Sequence, residues 1–325
     1  MKRFLHIFGR VLILAVFLGA AWMLYDRLKG YTLQEILDAI SNIRKRDIFL
    51  ATLLTVLNYG ILVGYDWFAV RWVGEKELSL RKIAMASFTG YAFSYNFGAT
   101  LFGTSIRYRF YSAWGMPLRK ILDLLVILGL TFWFGVFTLA GVVFMAAPFP
   151  IPASLKWMHL PFEGTFWIGV ALLLTAVGYV VVSALFHNVQ NRFGWKLPIP
   201  PLKLTLYQIG IACADLLVAA AVLHALLPPI EGGYLRILGV FMLAFVVAVL
   251  THVPGGYGVF DVLIIHFLPK AQEPSVVAAL LVFRVIYYWV PLLIAATMLG
   301  YHELTLTNDT KRPPPASEPS EEASQ

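Results

Sequence analysis

The sequence predicts an all-α polytopic membrane protein, with about six full transmembrane helices and two re-entrant hairpins forming an inverted repeat. Three observations predict it. Of the 325 residues, 59% are hydrophobic and 13% charged, with a mean hydropathy of +0.76; a soluble domain carries about 25% charged residues. Two apolar runs are broken at membrane depth, at Asn96-Phe-Gly98 through Gly103-Thr-Ser105 and at Val253-Pro-Gly-Gly-Tyr-Gly258. Backbone that leaves helical geometry inside a bilayer survives only where protein buries it or water reaches it. Finally, Lys and Arg flank the apolar runs, which accounts for the net charge of +7 and excludes nucleic acid as its cause.

In chain order, a basic start (Lys2, Arg3, Arg10) precedes an uncharged run at 11–25, read as a signal anchor rather than a cleaved signal peptide. Thr32-Leu-Gln-Glu35 is a capping box. Leu33, Ile36, Leu37, Ile40 and Ile43 follow at helical spacing, so residues 26–47 read as an amphipathic surface helix. Its tail, Arg44-Lys-Arg46, defies the charge rule if that loop is external. Residues 48–70 span with one charge, Asp66, and lead to a cytoplasmic loop bearing Arg71, Lys76, Arg81 and Lys82. The first broken run occupies 83–115, and a span at 124–155 ends at a loop with a single basic residue, Lys156. Residues 165–186 return to a basic loop (Arg192, Lys196, Lys203), and 204–227 span with Asp215 and His224 inside. The second broken run covers 237–268, 275–301 span with Arg284 inside, and 305–325 read as a disordered cytoplasmic tail rich in Pro, Ser and Glu.

Charge alternation decides how the broken runs sit. If 83–106 crossed fully, Arg107, Arg109, Arg119 and Lys120 would all be external. A run that enters and returns removes the conflict, and the same logic applies at 237–268. Both termini are then cytoplasmic, and the transmembrane domain extends over 1–304. The halves correspond as span with Asp66, hairpin, span and span with Asp215, hairpin, span. Tyr65-Asp-Trp-Phe-Ala-Val70 echoes Ala214-Asp-Leu-Leu-Val-Ala219.

The residues that carry chemistry are charges inside spans and the breaks themselves. Arg107 and Arg109 suit a lipid phosphate, since guanidinium matches phosphate with two parallel bonds. Two positions apart on a helix they face different ways, so one enters a cavity and the other anchors at the interface. Arg284 lies ten residues inside an apolar span, where a charge costs about 3 kcal/mol unless paired. Its candidate partners are Asp261, Asp215 and Asp66. Asp66 and Asp215 are candidate proton carriers, whereas Asp123 sits one turn from Arg119 and Lys120 and reads as half of a surface pair. Asn96 sits in the first break. Gly255, Gly256 and Gly258 either permit a tight turn or offer amides to phosphate. His252 is a headgroup donor or a satisfied core histidine; His224 and His266 are core. Phe132-Trp-Phe134 and Tyr287-Tyr-Trp289 read as packing or interface aromatics. The lone Cys213 excludes an intramolecular disulfide, no zinc-ligand spacing or phosphate loop occurs, and neither cofactor nor metal is expected. No nucleophile–base constellation supports an enzyme.

Three motifs carry a resemblance: Gly103-x-x-Ile-Arg107-Tyr-Arg109-x-Tyr111-x-x-Trp-Gly115, His252-Val-Pro-Gly-Gly-x-Gly258-Val-x-Asp261, and Ala278-Ala-Leu-Leu-x-x-Arg284-Val-Ile-Tyr-Tyr288-x-x-Pro291. The chain resembles the transmembrane region of the lysylphosphatidylglycerol synthase/flippase (MprF-like) proteins, and among them the stand-alone YbhN type, from residue 4 to 301. Where that family carries Glu after the Pro-Gly-Gly stretch, this chain has Asp261. The resemblance implies a bacterial inner-membrane module that moves an anionic or modified phospholipid between leaflets. It implies no aminoacyl transfer, because no acyltransferase-like sequence follows. The alternative is a non-transporting partner or regulator of a phospholipid-synthesising enzyme. Expected partners are phospholipid and the surrounding membrane, with a second copy of the chain and a lipid-synthesis enzyme as further candidates.

Overall fold

A computed structural model of the chain describes residues 32–98, 102–148, 164–186, 200–269 and 273–310. The anchor expected at 11–25 and most of the tail lie outside the described residues. The elements in order are α1 (Leu33–Ser41), α2 (Lys45–Trp72), α3 (Leu80–Phe97), α4 (Thr104–Ala113), α5 (Leu118–Ala146), α6 (Phe166–Phe186), α7 (Leu202–Leu226), α8 (Gly233–Leu250), a 3-10 turn (Pro254–Gly256), α9 (Val259–Phe267), α10 (Glu273–Phe283), a π-helical segment (Arg284–Trp289) and α11 (Val290–Thr310). Among the described residues, six helices are long and apolar enough to cross a membrane. Five of them, 45–72, 118–146, 166–185, 202–226 and 273–302, match expected spans. The sixth, 233–250, is the first arm of the second expected hairpin.

Helix α2 shows how the bundle is patterned. Its buried face carries Thr55, Asn58, Tyr59, Tyr65 and Asp66, while Phe49, Leu53, Val56 and Leu57 are exposed. Lipid makes an apolar exterior costless, so the polar residues face inward, where other helices satisfy them. Helix α2 packs most extensively on α7, and α5 packs on both α6 and α7. Small residues permit close crossings: a Cβ added at Gly169 of α6 would lie 2.8 Å from the carbonyl of Gly141 in α5.

Both broken stretches fold as pairs of antiparallel helical arms. In the first, Gly103 sits against Ser94, and Gly90 against Arg107. The first arm ends at Gly98, whose φ of 102° suits only glycine. In the second, Phe241 of α8 meets Phe260 of α9 edge-on at 5.4 Å, and Gly256 lies beside Ala248. Thr32 and Glu35 form the expected capping box on α1, which packs on α10. Helix α11 runs to Thr310, past the expected start of the tail at 305.

The chain from 273 to 302 is one span with a π-helical interruption. Pro291 is its cause. Proline lacks the amide that would bond the carbonyl four residues back, and its ring crowds that carbonyl, which belongs to Tyr287. The next available register is i to i−5, seen where the Val290 amide donates to the Val285 carbonyl. The interruption rotates Arg284 and both tyrosines relative to α11 and places all three in the interior.

Candidate functional site: two buried ion pairs on an aromatic ladder

The two broken stretches meet. The Tyr257 hydroxyl donates to Asn96 Oδ1 at 3.3 Å, and Asn96 Nδ2 donates to the Tyr288 carbonyl at 3.1 Å. Trp289 Nε1 donates to the Tyr257 hydroxyl at 2.8 Å. Asn96, chosen from sequence as one of the breaks, therefore ties the end of α3 to the second turn and to the π segment.

On one side of this junction lies Arg284, 4% exposed. Its guanidinium donates from Nε to Asp261 Oδ1 (3.3 Å) and from Nη2 to Asp261 Oδ2 (2.9 Å). It also donates to the carbonyls of Gly255 (2.6 Å) and Gly256 (3.4 Å). The rings of Tyr257, Tyr288 and Phe260 surround it at 4.5, 4.8 and 5.7 Å. Asp261 also accepts from the Gly258 amide at 3.1 Å, so one carboxylate caps α9 and holds the arginine. Of the three partners considered for Arg284, the structure selects Asp261. Gly255, Gly256 and Gly258 take φ of 63°, 60° and 79°, as a tight turn requires. Their polar groups serve the protein: two carbonyls hold Arg284, the Gly256 amide donates to Val253 and the Gly258 amide to Asp261.

On the other side, Arg107 of α4 reaches back to Asp66 of α2, with Nε to Oδ1 at 2.9 Å and Nη2 to Oδ2 at 3.1 Å. Arg107 is 5% exposed and Asp66 0%. The Tyr111 hydroxyl adds a third bond to Asp66 Oδ1 at 3.0 Å, and Arg107 lies over the ring of Tyr91 at 4.2 Å. Only Arg107 of the arginine couple turns inward; Arg109 is exposed.

Between the pairs runs a ladder of phenols. Tyr91 packs on Tyr95 at 6.0 Å, Tyr95 stacks on Tyr287 at 5.7 Å and tilts against Tyr288 at 6.1 Å. Beside it stands Asp215 of α7, accepting from Asn58 Nδ2 at 2.8 Å and from the Tyr65 hydroxyl at 3.0 Å. Asn58 Oδ1 accepts from the Tyr287 hydroxyl at 2.6 Å. A small cleft is lined by Tyr95, Asp215, Phe241, Phe245, Tyr287 and Tyr288.

Two relatives match nearly end to end. The uncharacterized protein slr0712 of Synechocystis sp. is 34% identical over 296 residues, 90% of this chain and 91% of its own. The inner membrane protein YbhN of Escherichia coli K12 is 29% identical over 289 residues, 88% and 89% of the two chains. The chain belongs to the family of YbhN-like inner membrane proteins. A more distant relation extends to the transmembrane region of phosphatidylglycerol lysyltransferase: the Staphylococcus aureus MRSA252 protein is 22% identical over 296 residues, which are 88% of this chain and 33% of that one. No family model matches.

In this YbhN-like protein several sequence expectations change. Tyr287 and Tyr288, read as packing, are polar members of the site. Asn58, Tyr91 and Tyr95 are new members of the site, and Tyr65 and Tyr111, named from sequence only within the repeat echo and the first motif, gain a role in it. The usable signal was polar residues recurring at helical spacing in 48–70 and 83–97, a face lipid would not tolerate. His252, expected as a headgroup donor or core residue, is exposed at a φ of 53°, its Nδ1 2.9 Å from the Leu250 carbonyl. Lys120 pairs with Glu75 at 2.7 Å rather than with Asp123. Among the described residues no cluster of His, Cys, Asp and Glu is arranged to hold a metal.

Proposed function

We propose that this protein moves a phospholipid with an anionic or modified headgroup between the leaflets of the bacterial inner membrane, and that it does so without enzymatic chemistry. The observation that carries this reading is the meeting of two discontinuous helix pairs at Asn96 and Tyr257, inside the bundle and between two buried Arg–Asp pairs. Broken helices that meet around buried charge are the usual construction of a translocation site. In this reading both pairs are re-entrant hairpins of an inverted repeat, both termini are cytoplasmic, and acyl tails remain in lipid while the headgroup passes the polar junction.

Arg109 and the Arg107 end of α4 attract the headgroup on the cytoplasmic side, where a basic residue near anionic lipid gains about 1 kcal/mol. In the present state Asp66 occupies Arg107 and Asp261 occupies Arg284. A phosphate presents the same pair of oxygens as a carboxylate, so the headgroup binds by replacing the carboxylate on the fork. Gly255, Gly256 and Gly258 let the second turn open as Arg284 leaves their carbonyls, and Asn96 follows it through Tyr257. One of the two buried carboxylates on the long helices, Asp66 or Asp215, is the candidate proton carrier for energising the cycle.

The test is reconstitution of the purified chain into liposomes with fluorescent phospholipids of several headgroups, scoring transbilayer movement by dithionite accessibility. Movement selective for one headgroup class supports transport. Lipid binding without movement rejects it in favour of a partner or regulator of a phospholipid-synthesising enzyme.

A further inference from the structure

Three carboxylates stand near the junction, and they are not equivalent. Asp66 is filled by a two-pronged guanidinium and a phenol. Asp261 is filled by Arg284 and the α9 amide. Asp215 is 4% exposed and, among the described residues, has no cation within ion-pairing distance. Its side chain accepts from the Asn58 amide and the Tyr65 hydroxyl, both neutral. The titratable groups around it are likewise neutral in kind: Tyr59 and Tyr65 from α2, Tyr91 and Tyr95 from α3, Tyr287 and Tyr288 from the π segment, and Cys213 on its own helix. From α8, Tyr234 is engaged elsewhere, on the Leu217 carbonyl, and from α6 Tyr179 contacts Gln208. Two guanidiniums lie behind neighbouring phenols: Arg107 over Tyr91, whose ring packs on Tyr65 at 6.0 Å, and Arg284 over Tyr288, and each is paired with its own aspartate.

An ionised carboxylate buried without a countercharge is costly, whereas the neutral acid fits the same place with one hydrogen bond reversed. We propose that Asp215 is the proton-binding site of this protein, loaded through the cleft between α3, α7, α8 and the π segment, and that Asp66 carries no proton. The step is simple: one proton adds to Oδ2, the carboxylate loses its charge, and the Tyr65 hydroxyl turns from donor to acceptor. Asn58 links this event to the transport machinery, because it contacts Asp215 with one end and the Tyr287 hydroxyl with the other, three residues from Arg284. The proton site deepens the transport proposal and rests on it only for the coupling, not for the binding of the proton.

The experiment uses the purified chain in phospholipid vesicles and two readouts. Infrared difference spectra between mildly acidic and alkaline buffer, both above the range in which exposed carboxylates titrate, should contain a protonated-carboxyl C=O band. That band should vanish in Asp215→Asn, persist in Asp66→Asn, and shift in Tyr65→Phe, which removes one hydrogen bond and leaves the acid. An imposed pH gradient should change wild-type lipid movement several-fold and leave Asp215→Asn indifferent to it. A band that survives Asp215→Asn, or that Tyr65→Phe leaves in place, overturns the proton site; Tyr65→Phe keeps the test available if Asp215→Asn does not fold. Wild-type protein that moves no lipid overturns transport and the coupling, while the band alone still decides the proton site.

Discussion

The Tyr59 hydroxyl donates to the main-chain carbonyl of Tyr287 at 3.3 Å, the carbonyl that Pro291 leaves without an amide four residues on. A proline in one span is thus answered by a phenol from another, 228 positions earlier in the chain. The π segment that results turns Arg284 toward Asp261 and Tyr287 toward Asn58.

This relationship predicts a coupled pair of substitutions. Tyr59→Phe should cost about 1 kcal/mol, the net value of one hydrogen bond. In a Pro291→Ala background the new amide can take the Tyr287 carbonyl, so the cost of Tyr59→Phe should fall toward zero. Thermal melting in detergent across the four-member cycle measures the coupling; strictly additive losses would show that Tyr59 does not serve that carbonyl.

Arg284 and Asp261 should behave as one unit. Arg284→Met leaves a buried carboxylate unpaired and should destabilise by about 3–5 kcal/mol. Adding Asp261→Asn removes the stranded charge while keeping an acceptor for the Gly258 amide, and should restore most of the loss. Arg284→Lys keeps the charge without the fork, so it should fold better than Arg284→Met yet move lipid more slowly than wild type. Unchanged stability and activity in Arg284→Met would remove Arg284 from the site.

The two arginines after the first break should separate by burial. Arg107→Met strands Asp66, which is 0% exposed, and should cost about 3–5 kcal/mol. Arg109→Gln, on the exposed face, should stay within about 0.5 kcal/mol. Equal losses in melting temperature would contradict the assignment of Arg107 as the inward residue.

Topology is testable without any activity. In a Cys213→Ser background, single cysteines at Ser79 and Ser112 should react with an impermeant maleimide from the same side of the membrane, and one at Ser154 from the opposite side. Labelling of Ser79 and Ser112 from opposite sides would mean that 83–115 does not return to its side of entry, and the inverted repeat would go with it.

What the sequence determined by itself was everything that depends on contrast with lipid. Apolar length marked five of the six crossing-length helices, because an uncompensated polar backbone or charge is costly in a bilayer, while 233–250, read as half of a hairpin, is itself long and apolar enough to cross. The glycine-broken stretches marked the junction for the same reason, and the three motifs carried the family. What only the tertiary structure decided was pairing. Asp66, Asp215 and Asp261 are the same kind of group at similar depth in the sequence pattern, and nothing local tells which one meets Arg284, which meets Arg107 and which stands among phenols. Those outcomes depend on which faces of α2, α4, α7 and the π segment come together. The face of the last is set by a proline whose orphaned carbonyl is satisfied by a residue from the other end of the fold. The tyrosines of the site were illegible for a related reason: in a membrane sequence a phenol marks an interface, a packed core and a buried donor equally well, and only a partner at hydrogen-bond distance distinguishes them.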